Sequence, residues 1–196
     1  MNDWKGTKNA VFRIIGASNH SEGERQSEDF YATDPRAIDE LLLRERFSKK
    51  IWECAVGSGN LAYRLMQAGY EVKCSDIIDR GVPNTEITDF LTYNGNWEGD
   101  IITNPPYRYA KEFIKNALHA VKTGSKIAMF LKLTALEGKE RYCEIYADNP
   151  PKFVYVFVKR IQCGLNGKFE GTSAVCYAWF IWVKGSKDEP IIRWIY

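Results

Sequence analysis

Several groups of residues in this 196-residue chain have the types and spacing to do chemistry. The first is Asp100–Tyr109, DIITNPPYRY. Ile101 and Ile102 read as a short strand that runs into Asn104, two prolines and an aromatic. Two consecutive prolines fix φ near about −65° twice and keep the preceding residue out of helix. They donate no backbone hydrogen bond, but each retains a carbonyl. The Asn104 side-chain oxygen and the Pro105 carbonyl can then point at one spot from a stiff backbone, with the ring of Tyr107 beside it. Two acceptors and a flat ring suit a planar group bearing NH₂, such as a nucleobase edge or an amide. Accepting both N–H protons draws the nitrogen toward tetrahedral geometry and frees its lone pair, an electrostatic preorganisation of a transition state.

The second group is Glu53–Asn60, ECAVGSGN. Gly57 and Gly59 permit a tight turn and close approach of a ligand to the backbone. The full G-x-G-x-x-G fingerprint is not met, since position 62 is Ala. Glu53, four residues before the turn, is a carboxylate near the end of a central strand, where burial is costly unless a polar or cationic partner meets it. Asp76 follows Gly57 by nineteen residues, at the spacing where such folds hold ribose hydroxyls. Asp89-Phe90 places an acid next to an aromatic. The pair suits an adenine amino group and its ring, and equally a helix cap beside a core phenylalanine.

The elements that must position these residues alternate. Asp34-Pro35 reads as a helix start, with a capping Asp and Pro at the first turn, and Ile38, Leu41 and Leu42 continue it at helical spacing. Strands are expected at IWECAV, YEVKCSD, TEITDFL, DIIT, SKIAMFLKL, KFVYVFVKR and AVCYAWFIWVK, and helices at LAYRLMQAG, Tyr109 to Val121 and Glu137 to Ala147. Strand–helix alternation predicts an α/β fold with a mostly parallel seven-stranded sheet, helices on both faces and a C-terminal antiparallel hairpin. Trp179 and Trp182, three apart on a strand, are expected on opposite faces. Open parallel sheets bind ligands at the carboxyl ends of their strands, where the suspicious residues fall.

Composition narrows the class. The chain is 45% hydrophobic and 27% charged with a net charge of +2, an ordinary globular balance. No apolar run approaches the roughly 18–20 residues of a membrane span, and the first thirty residues lack the apolar stretch of a secretory signal, which predicts a cytoplasmic protein. Five cysteines without a CxxC pair and two histidines argue against a disulfide framework and a metal site. Residues 1–30 read as a polar, flexible arm, and 31–196 as a single domain. Arg108, Lys111, Lys115 and Lys122 fall within a stripe about 60° wide on the helix after the proline motif. This is either a solvated face or a surface for nucleic-acid phosphates, to which Lys159, Arg160 and Lys168 add.

Taken together, Glu53-x-Ala55-x-Gly57-x-Gly59-Asn60, Asp76, Asp89-Phe90 and Asn104-Pro105-Pro106-Tyr107 resemble the S-adenosylmethionine-dependent amino-methyltransferases. The likeness is greatest to the N6-adenine DNA methyltransferases of phages and mobile elements, whose fold is Rossmann-like. The segment YATDP is similar to the one that precedes the glycine motif in that family, with Asp34 inserted between Thr33 and Pro35. The resemblance implies S-adenosylmethionine as cofactor. Thr33, Glu53, Ala55, Gly57 and Gly59 would lie at its methionine part, Asp76 at the ribose, Asp89 and Phe90 at the adenine. Asn104, Pro105, Pro106 and Tyr107 would be catalytic, with Asn104 also beside the cofactor. Tyr107 would stack on a flipped base, with Arg108, Lys111 and Phe169 also on the substrate side. DNA, or RNA by the same chemistry, would be the partner. A protein-glutamine methyltransferase shares the motif but usually has a helical domain in front. A catalytically silent binding module is the remaining class. With no room for a separate target-recognition domain, sequence preference is expected to be short or relaxed and read by the 161–173 loop.

Overall fold

The computed structural model describes residues 32–161, 163–164 and 175–196. The expected arm, most of the 161–173 loop expected to read sequence, and with it Lys168 and Phe169, lie outside the described residues. Along the chain run β1 (Ala32–Thr33), α1 (Pro35–Arg44), β2 (Lys50–Glu53), α2 (Asn60–Gln67), β3 (Glu71–Asp76), β4 (Thr85–Ile87), β5 (Asp100–Thr103) and α3 (Ala110–Ala120). There follow β6 (Lys126–Lys132), α4 (Lys139–Arg141), β7 (Phe153–Phe157), β8 (Cys163–Gly164), β9 (Tyr177–Val183) and β10 (Ile191–Ile195). The expected helix over 137–147 is α4 followed by a π turn at Tyr142–Tyr146.

The main sheet has eight strands in the order β10-β7-β9-β6-β5-β2-β3-β4. It is parallel except for β9, which lies antiparallel between β6 and β7. This is the expected Rossmann-like architecture with one strand more than the seven predicted. The addition is β10, which pairs parallel with β7 along Ile191↔Phe153 to Ile195↔Phe157. Its residues are mostly exposed, so it lacks the alternating burial signature by which strands are found. The strand order switches between β2 and β5, which pair in parallel, and the first four parallel strands end at the same edge.

Alternation along each strand divides the core between two faces. Ile51, Ile102, Ala128, Phe130 and Trp179 pack with α1 and α2. Trp52, Ile101, Met129, Phe180 and Trp182 pack with α3. Trp179 and Trp182 thus face opposite sides, and both are buried. Asp34 caps α1 as expected, its carboxylate accepting from the Arg36 N–H at 2.9 Å.

Asp100, buried at the start of β5, is a structural acid. Its carboxylate accepts from the Ser48 N–H at 2.6 Å and the Lys126 N–H at 2.7 Å, joining the leads into β2 and β6. Its own N–H donates to the Ser48 hydroxyl. Asp100→Ala leaves two part-buried backbone donors without their buried acceptor, at a cost of about 1–2 kcal/mol each. The expected outcome is a lower denaturation midpoint, with a loss of about 2–4 kcal/mol in equilibrium unfolding.

Candidate active site

One cavity of about 320 Å³ opens at the carboxyl ends of β2, β3 and β5, within the range of small-molecule sites. From β2 and its turn it is lined by Glu53, Ala55, Gly57 and Asn60. Asp76 comes from β3, Asp89 and Phe90 from the turn after β4, and Asn104 and Pro106 from the segment after β5. Thr33 reaches it from β1. Gly59 shapes the site from behind, as the left-handed residue that starts α2 at φ 82°. A Cβ there would come within 2.7 Å of the Tyr63 ring and 3.1 Å of Val82, so the turn requires glycine.

Glu53 is only 1% exposed. The Thr103 hydroxyl donates to its Oε1 at 2.5 Å and the Ala55 N–H at 3.1 Å. Burial outweighs both bonds and pushes its pKa up to about 8, with the Asp76 charge adding to the effect. Cys54, one residue on, is raised by the same burial and by Glu53. A carboxyl in this condition is poised to ionise against a cation.

Asp76 has a double role. Its Oδ2 accepts from the Gly57 N–H at 2.9 Å and its Oδ1 from the Ile78 N–H at 3.1 Å. It therefore braces the glycine turn while lining the cavity. Asp89 caps the short 3₁₀ turn at Phe90–Thr92 through the Leu91 N–H at 2.9 Å. Phe90 packs edge-on to Trp52 at 5.2 Å between ring centres. The structural role that the sequence offers for this pair is present, and both residues still reach the cavity.

The proline motif divides the site. Asn104 and Pro106 line the cavity, while Tyr107 is outside its lining, 5.6 Å from Tyr177 between ring centres. The Lys132 ammonium sits 4.9 Å from the centre of the Tyr107 ring. Pro105 is buried between. The Pro106 carbonyl accepts from the Tyr109 N–H at 2.9 Å and so belongs to the turn. The Asn104 NH₂ donates to the Thr33 hydroxyl at 3.0 Å. Thr33 is buried and is held by the pairing of β1 with β8, Thr33 opposite Cys163. The insertion of Asp34 leaves Thr33 in the site.

Two substrate-side expectations change. Arg108 lines the cavity rather than standing beside Tyr107, with its guanidinium 4.6 Å from the centre of the Tyr109 ring. Lys111 does not face the cavity; its ammonium is engaged by Glu140 and lies 3.3 Å from Glu144. Lys115 meets Glu144 at 2.8 Å and Lys122 meets Glu98 at 2.5 Å. Lys115 and Lys111 hold the Glu144 carboxyl down to about 2. Lys111 and Lys115 on α3, and Lys122 just beyond its end, thus form a face matched by acids. The sequence reading misses Ile77, Arg80, Leu91 and Tyr109 in the cavity lining, and Lys132 beside Tyr107. The first four lie within a few residues of recognised motifs and form no motif of their own; Lys132 is recognisable only once β6 is placed beside β5.

Among the described residues no group of His, Cys, Asp or Glu is placed to hold a metal ion. No helix among them is long and apolar enough to cross a membrane.

No family model matches the sequence, and no curated protein matches it significantly. Solved structures do. A provisionally assigned RNA methyltransferase from Pyrococcus horikoshii aligns with a TM-score of 0.58 at 16% identity, covering 89% of this chain and 97% of that one. A SAM-dependent O-methyltransferase from Thermotoga maritima aligns with a TM-score of 0.56 at 12% identity, covering 82% and 69%. A modification subunit of a provisionally assigned type I restriction enzyme from Vibrio vulnificus gives 0.60 at 9%, covering 95% of this chain and 50% of the subunit. At these identities the likeness is one of architecture: the chain has the Rossmann-like methyltransferase fold.

Proposed function

We propose that this chain transfers a methyl group from S-adenosylmethionine to the exocyclic N6 amino group of adenine in DNA. The observation that carries the reading is the partition made by Asn104–Tyr107. Asn104 lines the cavity that suits the cofactor, and the Tyr107 ring, outside that lining and beside Tyr177, is the surface on which a flipped base would stack. The shared fold adds support for methyl transfer in general.

The chain fits the cofactor by the chemistry of its lining. A buried Glu53 meets a cationic ammonium, Asp76 meets paired hydroxyls, and Asp89 and Phe90 meet an adenine edge and face. The Gly57 turn lets the ligand approach the backbone, with Gly57 itself at φ 54°. The cofactor, when bound, supplies an electrophilic methyl group on a sulfonium. Asn104 accepts one N–H of the target amine through its side-chain oxygen and the Pro105 carbonyl accepts the other. The nitrogen lone pair then points across the motif into the cavity. No strong base is required, because the amine becomes acidic as its new bond forms. Tyr107 holds the base by stacking, and the two prolines keep both acceptors from relaxing.

Thr33 orients this apparatus. By accepting from the Asn104 NH₂, its hydroxyl sets the amide oxygen as the end that meets the amine. Thr33→Val keeps the shape and removes the acceptor. The expected outcome is a kcat lower by about tenfold, the scale of one hydrogen bond, with Thr33→Ser restoring most of it. Steady-state kinetics at saturating cofactor check this.

The function itself is tested by incubating the protein with methyl-labelled cofactor and DNA, RNA or protein, then identifying the labelled nucleoside or residue. Label in N6-methyladenosine species from DNA supports the proposal. Label only in RNA moves the substrate, and label only in glutamine overturns the nucleic-acid reading.

A further inference from the structure

Charge separates along the ligand-binding edge of the sheet. On the half formed by β2, β3 and β4, that edge carries Glu53, Asp76 and Asp89, with Arg80 among them. The half formed by β6, β9 and β7 carries cations. Lys132 ends β6 and stands opposite Tyr177 of β9. On the other side of β9, Val156 pairs with Ala178. The next step along β7 brings Phe157 level with Tyr177, and the exposed Lys159 and Arg160 follow immediately. Lys132 and the end of β7 therefore flank one strand, about 10 Å apart by the spacing of neighbouring strands. The Lys132 ammonium lies against the Tyr107 ring, and Lys159 lies 4.6 Å from the centre of the Tyr196 ring. Neither contact neutralises its charge. The lysines of α3, and Lys122 just beyond it, by contrast each face a carboxylate.

Resting on the adenine methyltransferase reading, we propose that the rim formed by Lys132, Lys159 and Arg160 holds the phosphates of the strand whose target base stacks on Tyr107. Lys132 is the pivot. Its four-carbon stem lets the ammonium swing from the ring to a phosphate beside the extruded nucleotide, so one side chain marks the base site and grips its backbone. Phosphate contacts of this kind fix register without reading sequence.

The test is the salt dependence of binding to an adenine-containing DNA duplex, measured with cofactor product present. Each phosphate contact contributes about 0.9 to the slope of log K against log salt. The variant Lys132→Met, Lys159→Ala, Arg160→Ala is expected to flatten the slope by about 2–3. The paired-lysine variant Lys115→Ala, Lys122→Ala is expected to leave it unchanged. Lys132→Met alone, which keeps the stem over the ring, is expected to flatten it by about 1. Cofactor affinity and the thermal midpoint report whether each variant remains folded. If DNA is bound and methylated but the slope falls only in the α3 variant, or in neither, the rim assignment is overturned while the adenine reading stands. If the unaltered protein neither binds nor methylates nucleic acid, both fall together.

Discussion

Asn104→Ala lowers the rate of methyl transfer by about 10²–10³-fold or more, with cofactor affinity changed little. The magnitude follows from removing one preorganised group aimed at the charge that develops on the reacting atom. In the ground state the amine is a neutral, weak donor, and its bond to the amide oxygen adds little to binding. In the transition state the nitrogen becomes cationic and the same bond strengthens. The loss is therefore expected in kcat rather than in KM. The cofactor keeps Glu53, Asp76 and the Gly57 turn, none of which touches the amide by a hydrogen bond. Single-turnover transfer at saturating DNA, beside calorimetric titration of the cofactor, separates the two effects. Joint loss of transfer and cofactor binding would mean that Asn104 belongs to the cofactor cradle.

The second large effect concerns Glu53 and is visible in pH. With its carboxyl pushed up to about 8 by burial, the ligand-free protein carries a proton there at neutral pH. A cationic ammonium demands the carboxylate, so binding below about pH 8 expels that proton. Cofactor affinity is expected to rise by up to tenfold per pH unit between about pH 5 and pH 8, then level off. Proton release is read by calorimetry in two buffers of different ionisation enthalpy. The same shift acts on stability with a definite sign. Above the ordinary value of 4.5 the unfolded chain is ionised while the folded chain holds the proton. Stability contributed by this group therefore falls as pH rises from about 4.5 to about 8, by about 1.4 kcal/mol per unit, and is flat beyond. Glu53→Gln abolishes both slopes. It also weakens cofactor binding by about 10–100-fold, through loss of a charge-assisted bond.

Legibility in the sequence followed how local each feature is. The proline motif could be read because two adjacent prolines constrain the chain by themselves, and an amide before them has few structural reasons to end a buried strand. The strand–helix alternation, the cap at Asp34 and the opposed faces of Trp179 and Trp182 are likewise periodic or short-range. The lysines of α3 were harder. Helical spacing says which side chains share a face, but not that Glu140 and Glu144, some thirty residues on, stand opposite. The two-residue pair β1–β8 has no period to detect, yet it brings Thr33 to Asn104. Lys132 is an unremarkable strand-end lysine until β6 is set against β5 and β9. Glu53 could be suspected from burial cost, whereas the completeness of that burial, which outweighs the bonds from Thr103 and Ala55, is set by the packed fold.

The most direct measurement of the central claim is a crystal structure of the protein with S-adenosylmethionine or its demethylated product. The account predicts the ligand's ammonium at Glu53, its ribose at Asp76 and its sulfur facing the side-chain oxygen of Asn104 across the plane of the proline motif. A ligand bound outside this cavity, or a sulfur turned away from Asn104, would contradict it.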